Sequence, residues 1–389
     1  MDAYTKKVSY AAAAGVALYY GVSKYVEDSK VRLLAGASDD EPTELQKLLA
    51  QCPSLSENAR LVPTPYLCSG MLQTVYGTQI ALRKDRESNI EYVRKSKVMS
   101  DGGTVSLDWY PELPNDDVNS IAIVVPGLGG SAYEYHIRCV VQRLHAAIRG
   151  MHIVVCNHRG SGRTPLTSPR LYNAYDTSDL TDVLNELSAK FPRARLVCIG
   201  FSLGGNLITR YLGDHGHDAR LAAAVAVSCP YDTEVAGRAL SAPGLLNDWL
   251  FQPNLMATVK RLLRRNIDVI KSSPLNYDLD AIMKATRMSE IDDLVTARTY
   301  GHKDCWAYYR AASSVEYVEK IRKPFLAINA EDDPVTPIDG VPKDKFVNNP
   351  DTALALVKHG GHIGFFTGVV NPKIWYLDPV AEFISAILE

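Results

Sequence analysis

The sequence offers little that would mark a disulfide-stapled, nucleic-acid-binding or glycosylated protein. Its seven cysteines are an odd number and no two form a C-x-x-C pair. Cys156, Cys198 and Cys229 each lie in or beside an apolar run, where a thiol serves as a small hydrophobe, so neither a disulfide framework nor a zinc site follows. Charge of one sign is missing too: 42 Lys and Arg stand against 44 Asp and Glu, a net charge of −2. A chain so balanced lacks the field that draws proteins onto nucleic-acid phosphates, and nucleic acid is not expected as a partner. No N-x-S/T sequon occurs, so nothing independent marks lumenal exposure. A full-length membrane span is also lacking. The apolar candidate, VSYAAAAGVALYYGVS between Lys7 and Lys24, has sixteen residues, and as a helix it would reach about 24 Å against ~30 Å of bilayer hydrocarbon.

That short stretch has three readings. Tyr10 at one end and Tyr19 and Tyr20 at the other suit the headgroup level, with Lys6 and Lys7 as a cytoplasmic flank, which describes a marginal signal anchor. An Ala-rich surface helix is the second reading. A cleaved signal peptide is the third, although Lys24, Glu27, Asp28, Lys30 and Arg32 separate the run from the small residues Ala35, Gly36 and Ala37. We take residues 1–30 as an apolar segment and candidate membrane anchor, and residues 31–89 as an extension and connector that includes the Pro-containing stretch Cys52 to Pro65.

What is present is enough apolar material for a large core: 389 residues, 46% of them hydrophobic and 22% charged. From Ile90 onward strands and helices alternate. A hairpin around Asp101, Gly102 and Gly103 joins Tyr92–Met99 to Thr104–Tyr110. The runs Ile121–Val125, His152–Cys156, Leu196–Ile199, Ala222–Val227 and Phe325–Ile328 are short and largely apolar, as strands covered on both faces require. Helix-length stretches between them, Tyr133–Ile148, Ser178–Lys190 and Leu203–Leu212, make βαβ units. The expected fold is α/β, a mostly parallel sheet with helices on both faces. Residues 90–230 and 323–389 form the core in two parts, and residues 231–322, helical in period and without strand signal, form an inserted lid. In the lid, Leu255, Val259, Leu262, Leu263, Ile267 and Ile270 line one helical face, to pack on the core or to meet a membrane surface; Leu245, Leu246, Trp249, Leu250 and Phe251 offer a second apolar surface.

Gly200-Phe201-Ser202-Leu203-Gly204 follows an apolar strand directly and opens a helix. Glycines two positions either side of Ser202 allow a turn so tight that its hydroxyl stands exposed above the sheet. A serine hydroxyl needs a base, and the base needs an orienting carboxylate. The strand at Phe325 runs into Glu331-Asp332-Asp333-Pro334, at the carboxyl edge where such sheets keep their functional groups. Asp333, deepest in the loop, is the chosen carboxylate and Asp332 the alternative. His362, between flanking glycines in Gly360-Gly361-His362-Ile363-Gly364, is the base; His359 is read as structural. Two backbone N–H groups should hold the oxyanion, that of Leu203 after the nucleophile and that of Leu128 in Pro126-Gly127-Leu128-Gly129-Gly130-Ser131. The same loop fits G-x-G-x-x-A, a dinucleotide fingerprint, but the acid required at the next strand end is replaced by Cys156-Asn157-His158-Arg159. His158 and Arg159 are read as braces of the Leu128 loop in preference to headgroup ligands. His215 and His217 are read as solvated, and no metal or cofactor is implied.

With these residues in place, the chain resembles the α/β-hydrolase family of plant embryogenesis-associated hydrolases, bacterial YheT proteins, mammalian membrane lipid hydrolases and yeast ethyl-ester-forming acyltransferases. The order Ser202, Asp333, His362 is that of α/β-hydrolases. The resemblance also rests on Pro63-Thr64-Pro65-Tyr66 with Gly70 and Gln73-Thr74, on PGLGGS, on Asn157-His158-Arg159-Gly160 with Thr164-Pro165, on GFSLGGN and on GGHIGFF. It implies a serine hydrolase cleaving acyl esters of lipids through an acyl-Ser202 intermediate, with a lipid or small acyl ester as substrate and an amino-terminal anchor at an endomembrane; a cytoplasmic protein is the alternative. Transfer of the acyl group to an alcohol is the second activity in the family. None of the nine histidines has Asp five positions on, so the His-x4-Asp acyltransferase signature is missing and hydrolysis is preferred. A non-catalytic lipid-binding module with the same fold is the remaining alternative.

Overall fold

The structure, a computed structural model, describes residues 24, 27–36, 41–84, 90–114, 118–244 and 247–389. The apolar run at residues 8–23 and Leu245 and Leu246 lie outside the described residues. Among those described, no helix is long and apolar enough to cross a membrane.

Nine strands form one sheet in the order β1-β9-β8-β7-β6-β4-β5-β3-β2. Its six central strands are parallel: β4 (Ser120–Val125), β5 (His152–Asn157), β6 (Arg195–Phe201), β7 (Ala223–Val227), β8 (Phe325–Ala330) and β9 (Thr352–Val357). All but the terminal residues of β5 and β6 are buried along these strands, which is why they read as unbroken apolar runs. Alternate side chains enter two cores. On one face Ala122 and Val124 of β4 meet Ile137, Val140 and Leu144 of α3 (Tyr135–Ala147) and Val380, Phe383 and Ile384 of the carboxyl-terminal helix. On the other, Ile121, Ile123 and Val125 meet Val183, Leu184 and Leu187 of α4 (Ser178–Lys190) and Ile208, Tyr211 and Leu212 of α5 (Leu203–His215). The expected hairpin is β2 (Val93–Val98) and β3 (Thr104–Tyr110), paired antiparallel and joined to the sheet through β5.

The stretch expected as a connector is part of the core. β1 (Arg32–Ala35) adds antiparallel to β9 as the opposite edge. Leu45 and Leu49 of α1 (Glu44–Leu49), with Cys52, Leu55, Leu61 and Leu67, are buried beneath the sheet. Gly36, weighed as part of a cleavage site, lies where a Cβ would come 2.1 Å from the Asn349 carbonyl oxygen. That approach to a distant loop leaves room for glycine only. Next comes α2 (Gly70–Lys84).

Between β7 and β8 the chain is helical. Tyr231 at its start and Val318 and Ile321 at its end belong to the sheet's own core. The middle builds a separate cluster around Met256 and Leu263 of α7 (Gln252–Arg265), Ile270, Ile282, Ile291 and Val295, with Leu166 reaching up from the core; α6 (Thr233–Ser241) precedes it. The apolar face of α7 therefore packs inward. A Cβ on Gly129, whose φ is +69°, would meet Thr258 Cγ2 at 2.7 Å, and one on Gly160 would meet Leu262 at 3.4 Å. α7 rests on the loops that leave β4 and β5.

Candidate active site

At the end of β6 the backbone reverses within one residue. Ser202 has φ 50° and ψ −119°, a left-handed-side conformation that costs a non-glycine residue roughly 1–3 kcal/mol. The turn is held by Ser202 N–H donating to Val227 O at 2.9 Å and Gly205 N–H donating to Ser202 O at 2.9 Å. A Cβ at Gly200 would lie 2.6 Å from Gly204 O, and one at Gly204 would lie 2.2 Å from Val125 O. No side chain fits at either position, and the hydroxyl is lifted to the carboxyl edge of the sheet.

His362 Nε2 lies 2.9 Å from Ser202 Oγ, and His362 Nδ1 lies 2.9 Å from Asp333 Oδ2. Asp333 is buried and its carboxylate is saturated: Oδ1 accepts from Val335 N–H and Thr336 N–H, and Oδ2 accepts from the Thr336 hydroxyl at 2.7 Å. Asp332 faces the other way. It accepts from Gly70 N–H at 2.6 Å, Gly360 N–H at 2.9 Å and Gly361 N–H at 3.0 Å, and pairs with His359 Nδ1 at 3.0 Å. The two adjacent acids thus divide their roles, one on the imidazole and one on the loop that carries it. That loop is gripped further by α2: His362 N–H donates to Thr74 Oγ1 at 2.9 Å, and Phe366 N–H donates to Gln73 Oε1. Gly70, Gln73 and Thr74 stood out in the sequence only through the family resemblance. Ser228, which no sequence signal marks, accepts from Ile363 N–H at 3.0 Å.

The loop 126–131 passes directly beside the serine, with a Gly127 Cβ position 3.2 Å from Ser202 Cβ. Among the described residues neither the Leu128 nor the Leu203 amide has a protein acceptor. Behind the loop, His158 Nε2–H donates to Pro126 O at 3.0 Å while its ring stacks on Tyr172 at 3.4 Å. Burial pushes this imidazole down to about 4, so it is neutral. Ala132 N–H donates to Asn157 Oδ1 at 2.9 Å, and Asn157 Nδ2 donates to Asp108 Oδ2 at 2.8 Å. Asp108 is itself clasped by Arg94 through two 2.6 Å bonds. Arg159 is held bidentate between Asp101 and Asp179, at 2.6–2.8 Å. His158 therefore braces the Leu128 loop, whereas Arg159, expected to do the same, ties the β2–β3 turn at Asp101 to α4 at Asp179.

His136, in the first turn of α3, was not anticipated. Its ring sits edge-on to Phe201 at 5.1 Å, and its Nε2, which has no hydrogen-bond partner among the described residues, lies 3.6 Å from Glu134 Oε2. Burial, assisted by His362 nearby, pushes it down to about 3. His215 bonds its own helix at Tyr211 O, and the described residues include no group of three His, Cys, Asp or Glu placed to hold a metal.

A family model described as the alpha/beta hydrolase fold matches residues 123–369. The chain is 29% identical to a monoacylglycerol lipase of Saccharomyces cerevisiae over 78% of this chain and 68% of that protein. It is 28% identical to the embryogenesis-associated protein EMB8 of Picea glauca over 83% and 71%. Against phospholipase ABHD3 of Bos taurus it is 30% identical over 77% and 73%. Among solved structures, the Pyrococcus furiosus esterase Pf2001 superimposes with a TM-score of 0.51 at 17% identity, covering 77% of this chain and 94% of the esterase, a likeness of fold alone.

Proposed function

The chain belongs to the alpha/beta hydrolase fold family, and on that premise we propose that it is a serine hydrolase that cleaves the acyl esters of lipids through an acyl-Ser202 intermediate. Relatives named as a monoacylglycerol lipase and a phospholipase support lipid-ester hydrolysis in general. The observation that carries the catalytic assignment is the unbroken chain of two 2.9 Å contacts from Ser202 Oγ through the His362 ring to buried Asp333.

His362 Nε2 takes the Ser202 proton as Oγ adds to the ester carbonyl, and Asp333 stabilises the imidazolium through Nδ1–H. Negative charge develops on the carbonyl oxygen, where the Leu128 and Leu203 amides donate. The intermediate collapses as His362 returns the proton to the leaving alcohol, and water then releases the acyl group by the same steps in reverse order. Neutral His158 and the Asn157–Asp108 pair fix the Leu128 loop before substrate arrives. Membrane association through residues 1–30 belongs to the same reading, since it brings the site to its substrate.

A fluorophosphonate probe tests the assignment. Wild-type protein is expected to be labelled and Ser202→Ala is not; equal labelling of both proteins rejects Ser202 as the nucleophile. A lipid panel comparing the same two proteins would then identify the ester consumed.

A further inference from the structure

Nine large hydrophobic residues are exposed among those described, and five of them, Val62, Tyr66, Leu72, Val369 and Val370, lie on the neighbouring segments 62–72 and 366–370. The other four are scattered singly, as on any protein surface. The five come from two segments stitched together. Thr64 N–H donates to Phe366 O at 3.0 Å and Thr64 Oγ1 donates to Gly368 O at 2.7 Å, while Thr367 Oγ1 donates to Val62 O at 2.8 Å. Tyr66 and Tyr76 meet edge to face at 6.5 Å, Tyr76 leans on Phe366 at 5.0 Å, and Leu72 lies one helical turn before Tyr76 on α2. Val370, 91% exposed, and Val369, 65% exposed, form the tip of the turn between the short strands Phe366–Thr367 and Lys373–Ile374.

Two observations say what this face meets. First, it borders the candidate active site: Leu72 sits in the turn of α2 whose Gly70 and Thr74 hold the His362 loop. α7 covers the loops after β4 and β5, whereas this face flanks the loop after β9, so it lies on the side of Ser202 that α7 leaves uncovered. Second, the described residues 27–31 run beside it. Val31 N–H donates to Ala59 O and Leu61 N–H donates to Ser29 O, an antiparallel arrangement that carries residue 28 toward Val62, and Asp28 pairs with Lys358 at 2.7 Å. Residues 27–31, which follow the sixteen uncharged residues in the sequence, thus run beside an exposed apolar face.

We infer that Val62, Tyr66, Leu72, Val369 and Val370 are a membrane-docking face that seats the β9 side of the molecule on a lipid surface and admits ester lipids to Ser202 from that side. Contiguous exposed apolar surface of this kind marks an interaction site, and tyrosine suits the headgroup level. The inference rests on the lipid-hydrolase reading for what enters, though not for the docking itself.

The test uses the full chain carrying Val369→Glu and Val370→Glu together, at a surface turn outside the catalytic machinery, with Trp249→Glu on the insertion as a comparison. Binding to phosphatidylcholine vesicles is measured by co-sedimentation, and turnover is measured on a soluble short-chain p-nitrophenyl ester and on an ester lipid embedded in the vesicles. The double variant is expected to keep its soluble-ester rate while vesicle binding and embedded-lipid turnover fall about ten-fold or more, the consequence of taking two valines out of contact with lipid. Unchanged vesicle binding by the double variant overturns the inference, whatever Trp249→Glu does, and points to a face covered by residues 1–23. A dimer in light scattering that the double variant dissociates also overturns it, in favour of a second copy. Failure of both esters in wild-type protein that still binds vesicles through Val369 and Val370 would refute the hydrolase reading and leave the docking face standing.

Discussion

At the carboxyl edge of the sheet, the groups that bear on Ser202 are cross-linked to one another over long sequence separations, whereas the helices inserted between β7 and β8 combine local caps with a separate set of bonds to the core, Asn206 Nδ2 donating to Ala312 O, Arg210 Nη1 to Ala311 O and Ala174 N–H to the Tyr308 hydroxyl. Asp332 ties Gly70 to Gly360 and Gly361, and Asn157 ties Asp108 of β3 to Ala132 ahead of α3. In the insertion, Asp232, Asp278 and Asp304 each cap the amide two or three residues on, and Asp292 accepts from Thr296 four residues on. Long-range cross-links make the site geometry a property of the whole fold. A position that bears on Ser202 should therefore fail steeply when altered, and one away from the site should fail mildly.

The steepest contrast lies between two adjacent residues. Asp333→Asn replaces the acceptor at His362 Nδ1 with an amide that favours the wrong imidazole tautomer, and kcat on a soluble ester is expected to drop on the order of 10⁴-fold with little change in melting temperature. Asp332→Asn keeps one acceptor oxygen but turns an NH₂ toward the amide donors of Gly70 or Gly360 and Gly361. It should lower the melting temperature and cost roughly 10- to 100-fold in kcat, equivalent to about 1–3 kcal/mol of lost hydrogen bonding. Equal losses from the two substitutions would erase the division of labour. Asn157→Ala comes next. It strips Ala132 N–H of its acceptor and uncovers one oxygen of Asp108, loosening the Leu128 loop with Ser202 and His362 in place. Fluorophosphonate labelling is expected to slow by about ten-fold, the rate equivalent of one oriented hydrogen bond lost from loop placement; an unchanged rate would mean the loop is fixed without Asn157.

Legibility in the sequence followed the same division. The parallel strands were readable because burial on both faces leaves no polar residue inside Ile121–Val125 or Ile153–Cys156. Ser202 was readable because a reversal of that sharpness admits only glycine at 200 and 204. β1 was not: RLLA has four residues, and its partner lies more than three hundred positions away in β9. The choice between Asp332 and Asp333 depended on which carboxylate faced the ring, a matter of loop register that no local pattern encodes. Ser228 and His136 reach the site from other strands and helices, so nothing beside them in the chain announces a role. The division of the insertion between its own cluster and the sheet's core was equally hidden, since Tyr231, Val318 and Ile321 read like any other apolar residues of a helical stretch.

The smallest expected effect separates the two regions by the sign of their response to pH. Around Ser202, burial lowers His158 from the ordinary 6.5 to about 4. The unfolded chain then binds a proton that the folded site refuses, so this residue costs stability as pH falls from about 6.5 toward 4. In the insertion, Asp292 is buried between the Tyr309 hydroxyl at 2.6 Å and the Thr296 hydroxyl at 2.7 Å, and burial raises it from the ordinary 3.8 to about 6. Its folded form holds a proton more tightly than its unfolded form, so its contribution runs the other way, improving as pH falls from about 6 toward 4 and unfavourable at pH 7. Asp292→Asn removes the charge, and either hydroxyl can rotate to accept from the new NH₂. At pH 7 the variant should melt higher by a few degrees, at roughly 2–4 °C per kcal/mol for a domain of this size class. Between pH 6 and 4 its melting temperature should fall more steeply than the wild type's, because the compensating carboxyl is gone while His158 still resists protonation. Calorimetric melting curves across that range decide the matter: parallel pH profiles for the two proteins would show that Asp292 does not titrate against folding, and the insertion would lose its opposite sign.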